Sequence, residues 1–360
     1  MHLLLSMSNL LNFSMNKLHP DFRLNGFAVS EQDMHCVAYD LIKEGEDYQR
    51  KVGLFFLEWF NESEEITLQT SGTTGNPKKI TVPKEAMVQS ALATGKFFDL
   101  HPKEKMLCCM PVNFIAGKMM FVRAFVLGLE LDYINPTSNP LEKIEKPYDF
   151  CAMTPMQVEN SLDKLHFIKK LLIGGAKVSS ELEEKLVPLS TISYETYAST
   201  ETLTHIAARQ LGKESFELLP DITITTDTRG CLVIDAPRIN PQQIITNDLV
   251  DIQSENRFKW LGRYDNVVNS GGIKLFPEII EAKLNSKIHV PFFVGGISDS
   301  VLGEKLVLVI ESAPFELQND IFDGLDKYEK PKKVFFIPKF SLTESGKIKR
   351  KDILNYLQNP

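Results

Sequence analysis

No run in this sequence is apolar over the roughly 20 residues that a membrane-spanning helix needs, so the sequence predicts no membrane insertion. Positive charge is also scarce. Lys and Arg number 40 against 47 Asp and Glu, a formal net charge of −7, which removes any global attraction for nucleic acid and leaves phosphate to be bound locally. Cysteine is sparse and odd in number: Cys36, Cys108, Cys109, Cys151 and Cys231 form no C-x-x-C pair and no zinc set with the seven scattered histidines. These thiols read as reduced core residues. The opening MHLLLSMSNLLNFSMNKLHP lacks a basic leader and a small-residue cleavage site, so no secretory signal is expected and the predicted location is cytoplasmic. Fixed-period repeats and low-complexity tracts are absent, which excludes solenoids and disordered linkers.

What is there is the material of a folded enzyme-sized chain. At 360 residues it exceeds the usual single domain, so a large domain with a smaller appendage is expected. Glu65–Gln69 and Ile80–Val82 read as strands, and Lys84–Phe98 carries apolar residues at helical spacing. Further strands are expected at Met106–Met110, Leu129–Ile134, Phe150–Met153, Lys170–Ile173 and Thr191–Tyr194, interleaved with helical patterns such as Ser180–Leu186. This alternation predicts an α/β fold. After Asp248 the character changes: Phe258–Leu261 reads as a strand, and Gly262-Arg263-Tyr264-Asp265 as a polar turn. Beyond it a hairpin is expected from Pro291–Ile297 and Lys305–Ile310, with helices over Phe315–Leu325 and Asp352–Leu357. The expected division is therefore a large domain over 1–262, a hinge at 263–265 and a small, mobile α+β domain over 266–360.

The most informative segment is Thr70-Ser71-Gly72-Thr73-Thr74-Gly75-Asn76-Pro77-Lys78. Its glycines let backbone approach a ligand, its hydroxyls and exposed N–H groups donate, and Lys78 adds a cation, all of which suit phosphate oxygens. A Walker loop it is not: the G-x-x-G-x-P-K spacing is wrong, and Pro77 removes a donor where that motif's helix begins. By composition alone, such a loop is more often a surface hairpin, since turns of this kind are common.

The whole pattern resembles the signature of the adenylate-forming superfamily, which contains the acyl-CoA synthetases, and the resemblance extends over most of the chain. It implies a large N-terminal domain of the acyl-CoA synthetase type, abbreviated at its N-terminus because only 69 residues precede Thr70. Substrates implied by the resemblance are ATP, a small carboxylic acid and coenzyme A, with Mg²⁺ as the metal; no nucleic-acid partner is implied, and a homodimer is allowed. Tyr197-Ala198-Ser199-Thr200-Glu201 is similar to the family's aromatic-x-x-Thr-Glu motif, which implies that Tyr197 stacks on adenine, Thr200 lies at the nucleotide and Glu201 holds Mg²⁺. Gly174-Gly175-Ala176 resembles the turn beside adenine. Thr246-Asn247-Asp248 is similar to the family's Thr-Gly-Asp, which makes Asp248 the ribose ligand although Asn247 replaces the glycine. Arg263 then lies near ribose, Asp265 becomes the hinge, and Ser270, Gly271, Gly272 and Lys274 line the pantetheine channel. Ser345-Gly346-Lys347-Ile348 resembles the Gly-Lys-Ile motif, which implies that Lys347 is the catalytic lysine of adenylation, acting with Thr73 and Glu201.

Within the superfamily, the compact form and the segments Pro111–Lys118 and Thr202–Ala207 resemble the o-succinylbenzoate–CoA ligases of menaquinone biosynthesis. That implies acyl-substrate contacts from Asn113, Phe114, Lys118, Arg123, Thr204 and His205, with Lys118 or Arg123 meeting a second carboxylate and His205 lining an aromatic pocket. Another acid–CoA or acid–carrier ligase stays open at this point. So does a non-catalytic nucleotide-binding relative.

Overall fold

A computed structural model describes residues 18–69, 79–199, 201–318, 320–342 and 348–358. The chain opens with β1 (Arg23–Leu24), β2 (Phe27–Ala28) and the helices α1 (Met34–Glu44) and α2 (Asp47–Trp59). A hairpin of β3 (Glu65–Gln69) and β4 (Lys79–Pro83) follows, paired from Glu65↔Pro83 to Gln69↔Lys79. Pro83, extended at φ −63°, caps α3 (Lys84–Phe98), which ends where Asp99 turns left-handed at φ 49°. The alternating part then runs through β5 (Lys105–Cys108), α4 (Ile115–Leu127), β6 (Glu130–Tyr133), β7 (Tyr148–Met153), α5 (Pro155–Glu159), β8 (Ile168–Ile173), α6 (Ser180–Leu186) and β9 (Ile192–Ala198). It gives way to an all-strand stretch: β10 (His205–Gln210), β11 (Phe216–Leu218), β12 (Thr223–Thr226), β13 (Cys231–Ala236), β14 (Asn240–Ser254) and β15 (Arg257–Arg263).

All of these strands except the β3–β4 hairpin join one 13-stranded sheet, ordered β12-β13-β14-β15-β11-β10-β9-β8-β7-β5-β6-β1-β2. The stretch β1-β6-β5-β7-β8-β9 is parallel, and from β9 outward to β12 every pair is antiparallel. Parallel strands are covered on both faces and so read as continuous apolar runs. Alternate residues feed two cores: Met106, Cys108, Phe150 and Leu172 pack on one face with α2 and α4, whereas Leu107, Cys151, Leu171 and Ile173 pack on the other with α6. In the first core Phe56, wholly buried, meets Phe121 and Phe125 edge-on at 5.4 and 5.7 Å.

The remaining chain builds a second sheet from β16 (Val268–Ser270), β17 (Ile273–Leu275), β18 (Phe292–Asp299), β19 (Gly303–Glu311) and β20 (Lys333–Ile337), with helices α7 (Pro277–Leu284) and α8 (Arg350–Gln358). It has its own core, centred on Val268, Leu284, Val294 and Leu308. An α/β architecture of the expected class is thus present, with a smaller α+β unit after it.

Several local expectations need correction. No helix forms over the described part of Phe315–Leu325. Ile321 and Leu325 have helical spacing and are both buried, but turns carry them inward, with Gly324 at φ +86°. A strand not expected from the sequence, Lys333–Ile337, runs parallel to β19, with Lys333 itself exposed. Gly262 and Arg263 are not in a turn, because the ladder with β14 carries β15 through to the pair Asp248↔Arg263; the turn is a short 3₁₀ segment over Tyr264–Asn266. Cys36 is exposed on α1, although the other four thiols are buried and all five are free.

Candidate active site

Open parallel sheets bind ligands outside the carboxyl ends of their strands, and there the adenine-turn and ribose candidates among the described residues lie. Gly174, Gly175 and Ala176 leave the end of β8, where Gly174 N–H donates to Met153 O at 3.1 Å and so joins the ends of β7 and β8. Thr196 Oγ1 donates to Ile173 O at 3.1 Å and joins β9 to the same end. A Cβ on Gly174 would stand 2.7 Å from Thr196 Oγ1, and Gly175 holds φ +85°, so both positions favour glycine for stated reasons.

Tyr197, near the end of strand β9, donates its hydroxyl to Asp248 Oδ2 at 2.6 Å, while its ring meets Phe216 and Phe258 edge-on. Burial first, and the Asp248 carboxylate second, raise the phenol's pKa, so it stays protonated and donates. Asp248 Oδ1 accepts from Trp260 Nε1 at 3.2 Å and from Arg263 at 3.4 Å. Adenine-turn and ribose candidates therefore share one end of the sheet. Glu201 is exposed, its backbone carbonyl accepting from Asn240 Nδ2 at 3.3 Å, and among the described residues no cation pairs with its carboxylate. Thr70 to Lys78, Thr200 and Lys347 lie outside the described residues.

The expected hinge and channel residues fall at the junction of the two sheets. Asp265 is in the 3₁₀ turn, and Gly271 and Gly272, at φ +58° and +82°, make the tight turn that pairs Ser270 with Ile273. Lys274 is exposed on β17. Gly262 abuts the Glu278 carboxylate, whose other oxygen accepts from Asn266 at 2.5 Å.

The six expected acyl-site residues divide. Asn113 lines a cavity of about 320 Å³ beyond the ends of β5 and β6, together with Tyr48, Lys51, Tyr133 and Asn135. Phe114 caps α4 and is half exposed. Lys118 is already paired, its ammonium 2.7 Å from Glu58 and within reach of Thr67 O. Thr204 Oγ1 hydrogen-bonds Ser90 Oγ.

Arg123 and His205 form a different group. Arg123 is 3% exposed and His205 6% exposed, and a guanidinium N–H reaches His205 Nδ1 at 3.4 Å. The other contacts of Arg123 are long: Thr94 Oγ1 at 3.4 Å and Met120 Sδ at 3.7 Å. No carboxylate among the described residues pairs with it. A guanidinium only donates, so Nδ1 must accept and the ring proton sits on Nε2, which is buried and has no partner among the described residues. Burial, reinforced by the arginine, holds the imidazole well below its ordinary pKa and therefore neutral. Burial likewise lowers the guanidinium to about 10. Phe98 and Tyr194, whose rings lie 5.0 Å apart, adjoin this pair, with Phe98 6.2 Å from the imidazole.

Sequence reasoning missed Trp260, Lys177, Tyr48 and Lys51. Only the scarcity of Trp, two in the chain, marked any of them. Among the described residues no helix is long and apolar enough to cross a membrane, and no three or more His, Cys, Asp or Glu gather as a metal cluster.

Comparison with known proteins places this arrangement in context. A family model described as "AMP-binding enzyme" matches residues 62–240. A 2-succinylbenzoate–CoA ligase of Staphylococcus epidermidis is 24% identical over 323 residues, covering 79% of this chain and 68% of the relative. The crystal structure of an acyl-CoA synthetase (AMP-forming)/AMP-acid ligase II-like protein from Dyadobacter fermentans shares 38% identity at TM-score 0.61, covering 87% of this chain and 95% of that one. An o-succinylbenzoate–CoA synthetase from Bacillus subtilis, solved with an acyl-adenylate intermediate, has the same fold at TM-score 0.66 and 20% identity, covering 80% of this chain and 68% of that one.

Proposed function

The chain belongs to the AMP-forming acyl-CoA synthetase family of AMP-binding enzymes, and on that premise we propose that it is an ATP-dependent acid–CoA ligase acting on o-succinylbenzoate. A carboxylate is a poor electrophile, so one of its oxygens attacks the α-phosphate of ATP and pyrophosphate departs. The resulting acyl-AMP has a good leaving group, and the thiol of coenzyme A attacks its carbonyl and expels AMP. The nucleotide lies at the ends of β8 and β9, with adenine at Gly174–Ala176 and Tyr197 and ribose at Asp248 and Arg263. Thr70 to Lys78, Thr73 among them, cradle the phosphates. Lys347 neutralises charge that develops in adenylation, and losing one such stabiliser costs about 10²–10³-fold in rate.

Magnesium suits this donor set, because it binds through one or two carboxylates plus substrate phosphates, and Glu201 is exposed and unpaired with any described cation. When bound, the ion supplies charge neutralisation at the phosphates. Asp265 absorbs a rotation of the small unit, and Ser270, Gly271, Gly272 and Lys274 then admit the thiol.

The observation that carries the choice of acid is the Arg123–His205 pair. A buried cation with no carboxylate partner among the described residues, beside a neutral imidazole whose N–H has no acceptor among them, is costly unless a ligand supplies an anion. An acid with two carboxylates does so while the other is activated, and the rings of Phe98 and Tyr194, 5.0 Å apart, adjoin the pair. The second-carboxylate role belongs to Arg123 and not to Lys118, which Glu58 already neutralises. The test is AMP release with coenzyme A across a panel of acids. o-Succinylbenzoate should exceed benzoate and short fatty acids by at least about tenfold, the effect of one charge-assisted contact; a monocarboxylate preferred to it refutes the substrate.

A further inference from the structure

Trp260 sits in β15, opposite Val250 and diagonal to Asp248 across the β14–β15 ladder. Diagonal neighbours on one face are within reach of an aromatic side chain. The register shifts between Leu249 and Val250, immediately beside Asp248, and such irregularities re-aim side chains near ligand sites. The result is that the indole N–H donates to Asp248 Oδ1 at 3.2 Å. The other side of Asp248 is held by Tyr197 at 2.6 Å.

The indole is engaged by its face as well as its edge. Lys177, the residue after Ala176, holds its ammonium 5.3 Å from the centre of the Trp260 ring, an attraction of cation and aromatic face. One side chain thus ties the turn after β8 to the carboxylate on β14, two elements that are not neighbours in the sheet.

We propose that Trp260 is a positioning residue for the nucleotide: its N–H fixes the orientation of Asp248 and its face fixes Lys177, so that the ribose carboxylate and the adenine turn are presented together. This rests on the nucleotide placement given above. A carboxylate pinned by donors on both oxygens presents its remaining lone pairs in one direction, and a ribose diol that meets it loses little freedom. The chain's other tryptophan, Trp59, is 2% exposed in the first core, so a nucleotide-dependent change in indole fluorescence comes from Trp260.

The test compares Trp260→Phe, Trp260→His, Lys177→Met and Asp248→Asn in the full chain, with ATP and AMP as probes. Trp260→Phe keeps an aromatic ring and removes the donor. It should raise the KM for ATP by about tenfold, the worth of a hydrogen bond to a charged group, with kcat and the KM for the acid within about twofold. Trp260→His, which restores an N–H, should recover part of that loss. Lys177→Met should raise the KM for ATP by a smaller factor, and the AMP-induced fluorescence change should vanish in Trp260→Phe. A fall in kcat and thermal midpoint with the KM for ATP unchanged would show a merely structural tryptophan and overturn the proposal. Asp248→Asn separates the two levels. If it weakens ATP while Trp260→Phe does not, only the role of Trp260 is wrong; if it leaves ATP binding intact, the nucleotide placement itself is wrong.

Discussion

Replacing Arg123 by methionine should separate binding from stability in an unusual direction. Most buried side chains stabilise a fold, and truncating them costs it. Arg123 differs because it is 3% exposed and, among the described residues, no carboxylate neutralises it. Burial lowers its pKa from 12.5 to about 10, which at about 1.36 kcal/mol per tenfold corresponds to roughly 3 kcal/mol of desolvation left unrepaid. The hydrogen bonds that offset this are long, at 3.4 Å to Thr94 and to His205. Methionine keeps an unbranched apolar stem and removes the charge, so the thermal midpoint of Arg123→Met should hold or rise. Acid recognition should move the other way. A charge-assisted hydrogen bond is worth about 1.5–3 kcal/mol, so kcat/KM for o-succinylbenzoate should fall about 10- to 150-fold while the KM for ATP stays put. The assay is steady-state AMP release with o-succinylbenzoate and benzoate side by side, and the preference between them should shrink by the same factor. A midpoint that drops as it does for a core truncation, or equal losses for both acids, refutes the reasoning.

Other expectations follow from the same geometry. His205 is buried and neutral, with a folded pKa well below the ordinary 6.5; the unfolded chain therefore binds the proton first, and stability should fall as pH drops below about 6.5, by up to about 1.36 kcal/mol per pH unit. Thermal midpoints between pH 7.5 and 5.5 check this, and His205→Gln should flatten the dependence. Lys347→Ala should abolish acyl-AMP formation yet spare thioester formation from supplied acyl-AMP, whereas a bulky residue at Gly272 should do the reverse; loss of both steps in a folded Lys347 variant contradicts the assignment. Phe56→Ala, which empties the contact with Phe121 and Phe125, should cost about 3–5 kcal/mol in urea unfolding, and a loss below about 1 kcal/mol would mean that the core collapses around the gap.

Elements with self-contained local signals were readable in the chain itself. The helix Ser180–Leu186 is one: Ser179 accepts from Leu182 N–H at 3.1 Å, and Glu181 and Glu183 occupy its first turn. The apolar run Leu171–Ile173 is another, because a strand buried on both faces needs no alternation. The helix expected over Phe315–Leu325 misled for a physical reason, since Ile321 and Leu325 are spaced as on a helix but are delivered to the core by turns. At the site, the glycines after β8 and the pair Tyr197 and Asp248 stood out by motif. Trp260 did not, because it becomes Asp248's neighbour only through an antiparallel ladder with a register shift. That no described carboxylate pairs with Arg123 was equally hidden, for a candidate arginine is visible in a sequence whereas its neighbours are a property of the packed interior.

Activation of an acid through its adenylate is most directly tested by acid-dependent exchange of labelled pyrophosphate into ATP without coenzyme A. The account predicts exchange that requires o-succinylbenzoate, is lost in Lys347→Ala and is weakened in Arg123→Met at unchanged ATP affinity. Robust exchange with simple monocarboxylic acids and none with o-succinylbenzoate would contradict the choice of substrate, and no exchange with any acid in a folded, ATP-binding protein would contradict the reaction itself.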